Sequence, residues 1–318
     1  MTRPATDSDL GLLAFLAPRL SPLCLYMAQS FVWNVDPVLI RLGGVAVRYY
    51  GLCFGLAILT GFAVWHHRVR RFGESAEFAE RWLWYGVAGV VIGGRLGHCF
   101  FYQPRTYLAN PLRVLHIWEG GVSSHGVALG LALALWLFAR RQRVTWTTLG
   151  DYFAPAVALA VNWIRVGNFF NSEVLGSPAS VPWAVVFARV DAIPRHPVQL
   201  YEIGNGLLTW VVLREVERRN IRPIGSGLIA GTFLATYFTL RILAEYFKMF
   251  YIEQLRTMSP FRDVEELVGF PIHTGQWLSV LPVLAGVLLI RRALRRRASS
   301  FPAGEIAATS AYATPSAR

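Results

Sequence analysis

The sequence is short of charge. Only 16% of its 318 residues are Asp, Glu, Lys or Arg, against about 25% in an ordinary soluble domain. With 54% hydrophobic residues, that shortage excludes a conventional water-soluble fold. Cysteine is scarce as well. Cys24, Cys53 and Cys99 lie far apart, which gives neither a disulfide framework nor a metal-ligand spacing; free thiols in apolar surroundings are expected. A cleavable signal peptide is not expected, because the first apolar patch, residues 10–16, lacks a basic n-region and a small-residue cleavage site. The formal net charge of +12 does not point to nucleic acid. The arginines fall in short loops between apolar runs, which is the topology signal of membrane proteins.

What the chain does have is a succession of apolar runs near the 20 residues or so that cross a hydrocarbon core of about 30 Å. Seven are legible, at about residues 47–65, 82–102, 122–138, 152–170, 198–213, 227–246 and 277–290. Basic clusters follow the first, third, fifth and seventh: His66 to Arg71, Arg140 to Arg143, Arg214 to Arg222, and Arg291 to Arg297. The positive-inside rule makes those ends cytoplasmic. The expected fold is an all-α polytopic membrane protein of seven transmembrane helices, its N-terminal side outside, its C-terminus cytoplasmic, with a small cap on the outer face. Residues 1–46 read as an interfacial segment and 47–291 as the membrane domain, with the outer loop 171–197 as cap. Within that loop, residues 183–189 read as a short strand or an interfacial segment. Residues 292–318 read as a basic, then disordered, tail.

Polar residues inside such runs are expensive and call for an explanation. Arg95, Arg165 and Arg241 each lie about 13 or 14 residues beyond the inner end of their span. At 1.5 Å per residue this is roughly 20 Å up the core. On spans running the other way, Tyr50, His125, Tyr201 and Glu202 fall near the outer end, so one polar layer in the outer half is expected. The arginines pair with Glu119, Glu173, Glu202 or Glu245 merely to fix helix packing, or they clamp a phosphate, for which the guanidinium fork is suited. Glycines at 93, 94 and 97 favour the packing role for Arg95. In the outer leaflet the available phosphate is a phospholipid headgroup. His125 is either a hydrogen-bonded structural residue or a base for a thiol or hydroxyl nucleophile. His196, Gln199, Tyr201 and Glu202 are headgroup contacts or helix caps. Asn168 and Asn171 share a face with Arg165, and Gly167 and Gly176 permit close approach. A membrane transporter or lipid flippase is the other reading, and it predicts polar residues through both leaflets and an internal repeat.

The run Arg165-Val166-Gly167-Asn168-Phe169-Phe170-Asn171-Ser172-Glu173, with Gly176, resembles the signature of the prolipoprotein diacylglyceryl transferases of bacterial inner membranes. Arg48 to Leu52, Gly93 to Gly97, Gly120 to Gly126, His196 to Glu202, Tyr237 with Arg241 and Glu245, and Gly275 to Ser279 are similar to further motifs of that family, in order. The resemblance covers about residues 47–291. It implies a transferase that moves the diacylglyceryl group of phosphatidylglycerol to the lipobox cysteine of a prolipoprotein signal peptide, first step of lipoprotein maturation. It implies no cofactor or metal, and as partners membrane lipid and the precursor peptide but no nucleic acid. Residues matching Tyr50, His125, Arg165, Asn168, Gly176, Tyr237 and Arg241 are those the family ties to function. Glu173, Arg95, His196, Tyr201, Glu202 and Glu245 complete the expected headgroup contacts. Val127 and Ile164 stand where the family commonly has glycine, which adds bulk near the expected site and leaves a divergent, non-catalytic lipid-binding paralogue as an alternative.

Overall fold

The computed structural model describes residues 31–43, 45–101, 104–116, 123–219, 224–248 and 274–295. The expected interfacial residues 1–30, the tail from 296, Glu119 and the glycines at 120 and 121 lie outside the described residues.

The described chain is mostly helical. Its elements, in order, are strands β1 (Phe31–Trp33), β2 (Val38–Leu42) and β3 (Val45–Arg48); helices α1 (Tyr49–Arg71), α2 (Ala76–Phe101) and α3 (Pro104–Ala109); and a 3-10 turn (Pro111–Leu115). Then come α4 (Ser124–Gln142), α5 (Trp146–Phe170), β4 (Val185–Phe187), β5 (Pro194–Arg195), α6 (Val198–Arg219), α7 (Leu228–Glu245) and α8 (Thr274–Arg295). Among the described residues, four helical stretches are long and apolar enough to cross a membrane: Tyr49–Arg71, Trp146–Phe170, Leu228–Glu245 and Gln276–Arg295. Several helices outrun their apolar windows. α1 continues through Arg68, Arg70 and Arg71, and α8 through Arg292 and Arg295. Cations in a last turn oppose the helix dipole favourably.

The chain divides into two compact units that share helices. The first comprises Met1–Ala57, Val161–Leu207 and Thr239–Ser279. It holds all the strands. β1 pairs parallel with β4, β4 antiparallel with β5, and β2 with β3 as a hairpin. Residues 31–48 are therefore extended, and the strand reading of 183–189 is realised at Val185–Phe187. β4 is buried along its whole length. Phe187 packs edge-on to Phe169, whose ring meets Trp33, and Tyr49 stacks on Phe170 at 4.3 Å. These aromatic contacts hold the end of α5 against the strands.

The second unit comprises Ile58–Ala160, Leu208–Phe238 and Val280–Arg318. Its core is a cluster of Trp65, Phe78, Trp82, Phe138, Leu149 and Tyr152. α2 and α4 meet through glycine. A Cβ on Gly93 would lie 2.4 Å from the Gly126 carbonyl oxygen, and one on Gly130 would lie 2.1 Å from that of Gly89. No side chain fits between these backbones, so small residues set the approach. The buried Asp151 carboxylate accepts from the backbone N–H groups of Gly225, Gly227 and Ala230, all at 2.9 Å. It thereby satisfies donors at the start of α7 that no helical carbonyl can reach. Arg68 donates to the Asp151 carbonyl at 3.0 Å and pairs with Glu217 at 2.9 Å.

Candidate functional site

The end of α5 carries the polar groups because the helix stops there in a defined way. The N–H of Glu173 bonds the Asn168 carbonyl, and that of Ser172 bonds the Phe169 carbonyl, with Ser172 left-handed at φ 54°. This is the Schellman closure, usually made by glycine. It turns the chain back so that Glu173 faces the asparagines of the helix it has just left. Asn168 donates to Glu173 at 3.2 Å and Asn171 donates to the other carboxylate oxygen at 3.1 Å. Gln199 donates to the Glu173 carbonyl at 2.6 Å. Arg165 donates to Asn168 Oδ1 at 3.1 Å. Gly167 is needed on the adjoining face, since a Cβ there would meet the Tyr50 ring at 2.9 Å.

Glu202, 4% exposed, gathers cations from two helices and a following turn. Its Oε2 lies 2.9 Å from Arg165 Nε, as an ion-pair contact without hydrogen-bond alignment. Its Oε1 lies 3.1 Å from Lys248 Nζ and 3.7 Å from Arg241 Nη1. Lys248 also binds Glu245 at 2.8 Å. Arg165, Arg241 and Glu202, read from the sequence as part of one polar layer, thus meet in the first unit, and Glu245, read as a possible arginine partner, joins them through Lys248. The Arg241 side chain keeps 28% exposure. Two guanidiniums gathered near one anionic point can stabilise charge on a phosphate ester.

Beside this cluster the backbone of Gly176 pairs with that of Lys248, and the N–H of Ser177 bonds the Phe247 carbonyl at 2.8 Å. A Cβ on Gly176 would lie 2.1 Å from the His196 carbonyl oxygen, so only glycine permits this approach. His196 Nδ1 lies 3.0 Å from the Tyr201 hydroxyl, which accepts from Trp183 Nε1 at 2.7 Å. Burial pushes the His196 imidazole below its ordinary value. The buried Arg195 guanidinium donates to the Gly176 carbonyl at 3.3 Å and to Asp191.

The remaining expected residues have different surroundings. Arg95 belongs to the second unit, is buried, and donates to the carbonyls of Val114 at 2.9 Å and Arg113 at 2.8 Å, over the Tyr107 ring. These bonds fasten the 3-10 turn to α2. Tyr237, one helical turn before Arg241, stacks with Phe233 at 5.3 Å. His125 lies in the first turn of α4, next to the Ser123 cap, whose hydroxyl accepts from the Gly126 N–H; the His125 side chain lies outside the described residues. Lys248 and Arg195 were not singled out by sequence, whereas Gln199 was read with His196, Tyr201 and Glu202 as a headgroup contact or cap. The available signal for Lys248 was its spacing, three residues beyond Glu245 and seven beyond Arg241.

The family model described as prolipoprotein diacylglyceryl transferase matches residues 37–292. Curated proteins named phosphatidylglycerol–prolipoprotein diacylglyceryl transferase are similar along most of their length. That of Tolumonas auensis is 40% identical over 269 residues, covering 84% of this chain and 98% of the relative. That of Azoarcus sp. is 40% identical over 269 residues, 83% and 97%. That of Nitrosospira multiformis is 39% identical over 268 residues, 83% and 89%.

Proposed function

The chain belongs to the prolipoprotein diacylglyceryl transferase family, and on that premise we propose that it transfers the diacylglyceryl group of phosphatidylglycerol to the lipobox cysteine of prolipoproteins. The cysteine sulfur attacks the glyceryl carbon that bears the phosphate ester. A carbon–sulfur bond forms, the carbon–oxygen bond breaks, and its electron pair leaves with glycerol phosphate. The thiol proton goes to a base, because the thiolate is the nucleophile. The product is a thioether.

The observation that carries this reading is the meeting of Arg165 and Arg241 on Glu202. Charge grows on the leaving phosphate as the bond to carbon breaks, and preorganised guanidiniums are suited to stabilise it. Asn168 and Glu173 hold the Arg165 fork in place. Gly176, His196 and Tyr201 shape the wall beside it, and Tyr50 lies across Gly167 from the same stretch. His125 is assigned the base, with Tyr50 or Tyr237 as proton relay. The reading includes seven membrane-crossing helices with the N-terminal side outside, supported by arginine clusters after alternate spans. It places the reaction at the periplasmic leaflet of a bacterial inner membrane, where lipid and precursor peptide meet.

The test is a reconstituted assay with headgroup-labelled phosphatidylglycerol and a lipobox peptide. Glycerol phosphate is released only when the peptide carries its cysteine. Arg165→Ala and His125→Gln each lower the rate at least about tenfold, or roughly 1.4 kcal/mol of barrier. Release without the cysteine, or wild-type rates in both variants, refutes the assignment.

A further inference from the structure

We propose that Lys248 is a positioning residue of the headgroup site: by occupying the carboxylates of Glu202 and Glu245 it leaves the Arg241 guanidinium free to take an anionic phosphate ester. The inference rests on the function proposed above and adds to it a residue that no motif marks.

Arg241 has two acidic neighbours that ought to claim it. Glu245 lies four residues further along α7, the spacing at which opposite charges meet on one helix face. Glu202 is buried and faces it from α6. Neither holds it closely. Glu245 instead accepts from Lys248 at 2.8 Å. Glu202 Oε1 is 3.1 Å from Lys248 Nζ but 3.7 Å from Arg241 Nη1, so one oxygen faces both cations and the lysine is nearer. Among the described residues, that long contact is the polar partner of Arg241. Its side chain is 28% exposed, whereas that of Lys248 is 13% exposed. The cation left loose is the fork that can grip phosphate through two N–H groups. The cation spent on carboxylates is a point charge.

Lys248 is also held in place by its backbone. It pairs antiparallel with Gly176, and Ser177 binds the neighbouring Phe247 carbonyl through its N–H at 2.8 Å and its hydroxyl at 3.4 Å. Phe247 packs on His196 at 4.9 Å. The ammonium is therefore delivered to the two carboxylates by the same strand contact that seats Gly176. Without it, Glu245 loses the ammonium it holds, and Glu202, still paired with Arg165 through Oε2, turns Oε1 to Arg241 alone. Their attraction falls off only as the inverse of distance, so the guanidinium turns onto them and away from lipid.

The experiment measures binding of short-chain phosphatidylglycerol to the full-length protein in detergent, together with KM and kcat in the reconstituted assay. Lys248→Met is expected to weaken binding and raise KM by about tenfold, with a smaller change in kcat. Lys248→Arg restores binding to within about threefold of wild type. The decisive variant is the pair Lys248→Met with Glu245→Gln, which removes the acid that Lys248 holds and that lies four residues from Arg241 while leaving Glu202 in place. It is expected to recover most of the binding lost in Lys248→Met, and a merely structural lysine predicts no such rescue. Unchanged binding in Lys248→Met, or a double variant that binds no better than the single one, overturns the proposal. Binding needs no turnover. A wild-type protein that binds the lipid but releases no glycerol phosphate refutes the transferase reading while leaving the Lys248 comparison decisive.

Discussion

At the scale of the residue, the site depends on side chains whose partners lie far off in sequence. Arg165, Asn168 and Glu173 were legible because they fall in one short run, at spacings that share a helix face. Lys248 was not, because a lone lysine after a helix has no pattern and its partner Glu202 belongs to another helix. Arg95 shows a different limit. Counting residues along a span fixes a height but not a direction around the helix, and the side chain spends its donors on the carbonyls of the 3-10 turn. Ser172 is illegible for a third reason. Serine gives no sign of a left-handed backbone, yet it sits at φ 54° with a buried hydroxyl that lacks a hydrogen-bond partner among the described residues. The conformation costs an L-residue about 1–2 kcal/mol, and the unmet hydroxyl about 1 kcal/mol more. Glycine gives back about 0.5–1 kcal/mol through the unfolded chain. Ser172→Gly is therefore expected to raise stability by about 1 kcal/mol, read as a higher midpoint of thermal unfolding in detergent. An equal or lower midpoint contradicts the strain assigned to that position.

At the scale of the element, the glycines of α2 show what spacing reveals and what it hides. Gly93, Gly94 and Gly97 announce a close helix contact, but not which helix approaches. The answer is α4, through Gly126 and Gly130. A methyl group at Gly93 meets backbone atoms at 2.4 and 2.7 Å, and backbone cannot swing aside as a side chain can. Gly55 in α1 makes the control, because a Cβ there meets nothing within 4 Å. Gly93→Ala is expected to cost about 1–3 kcal/mol by overpacking. Gly55→Ala is expected to be neutral or stabilising by up to about 1 kcal/mol, since alanine is the better helix former. Thermal unfolding of the two variants side by side decides the matter, and equal midpoints contradict the account of the α2–α4 contact. Apart from β4, which lies within the 183–189 run read as a strand or interfacial segment, the strands are the elements the sequence hid. β1 and β5 have three and two residues, too few for an alternating pattern to declare itself.

At the scale of the whole molecule, composition carried most of the class. Low charge and repeated apolar runs predict a helical membrane protein, and the described chain is mostly helix, with four stretches apolar and long enough to cross. The arginines that break those runs carried most of the site. Arg165 and Arg241 are costly where they stand unless something offsets their charge, and the structure supplies Glu202 for both. On the proposed function, one buried carboxylate facing two guanidiniums preorganises them for a second anion, the phosphate of phosphatidylglycerol. The most direct measurement is equilibrium binding of short-chain phosphatidylglycerol to wild type, Arg165→Gln and Arg241→Gln, each checked for a cooperative unfolding transition. The account predicts that each substitution weakens binding by at least about tenfold, and that removing both weakens it further. Wild-type affinity in both folded single variants would contradict it.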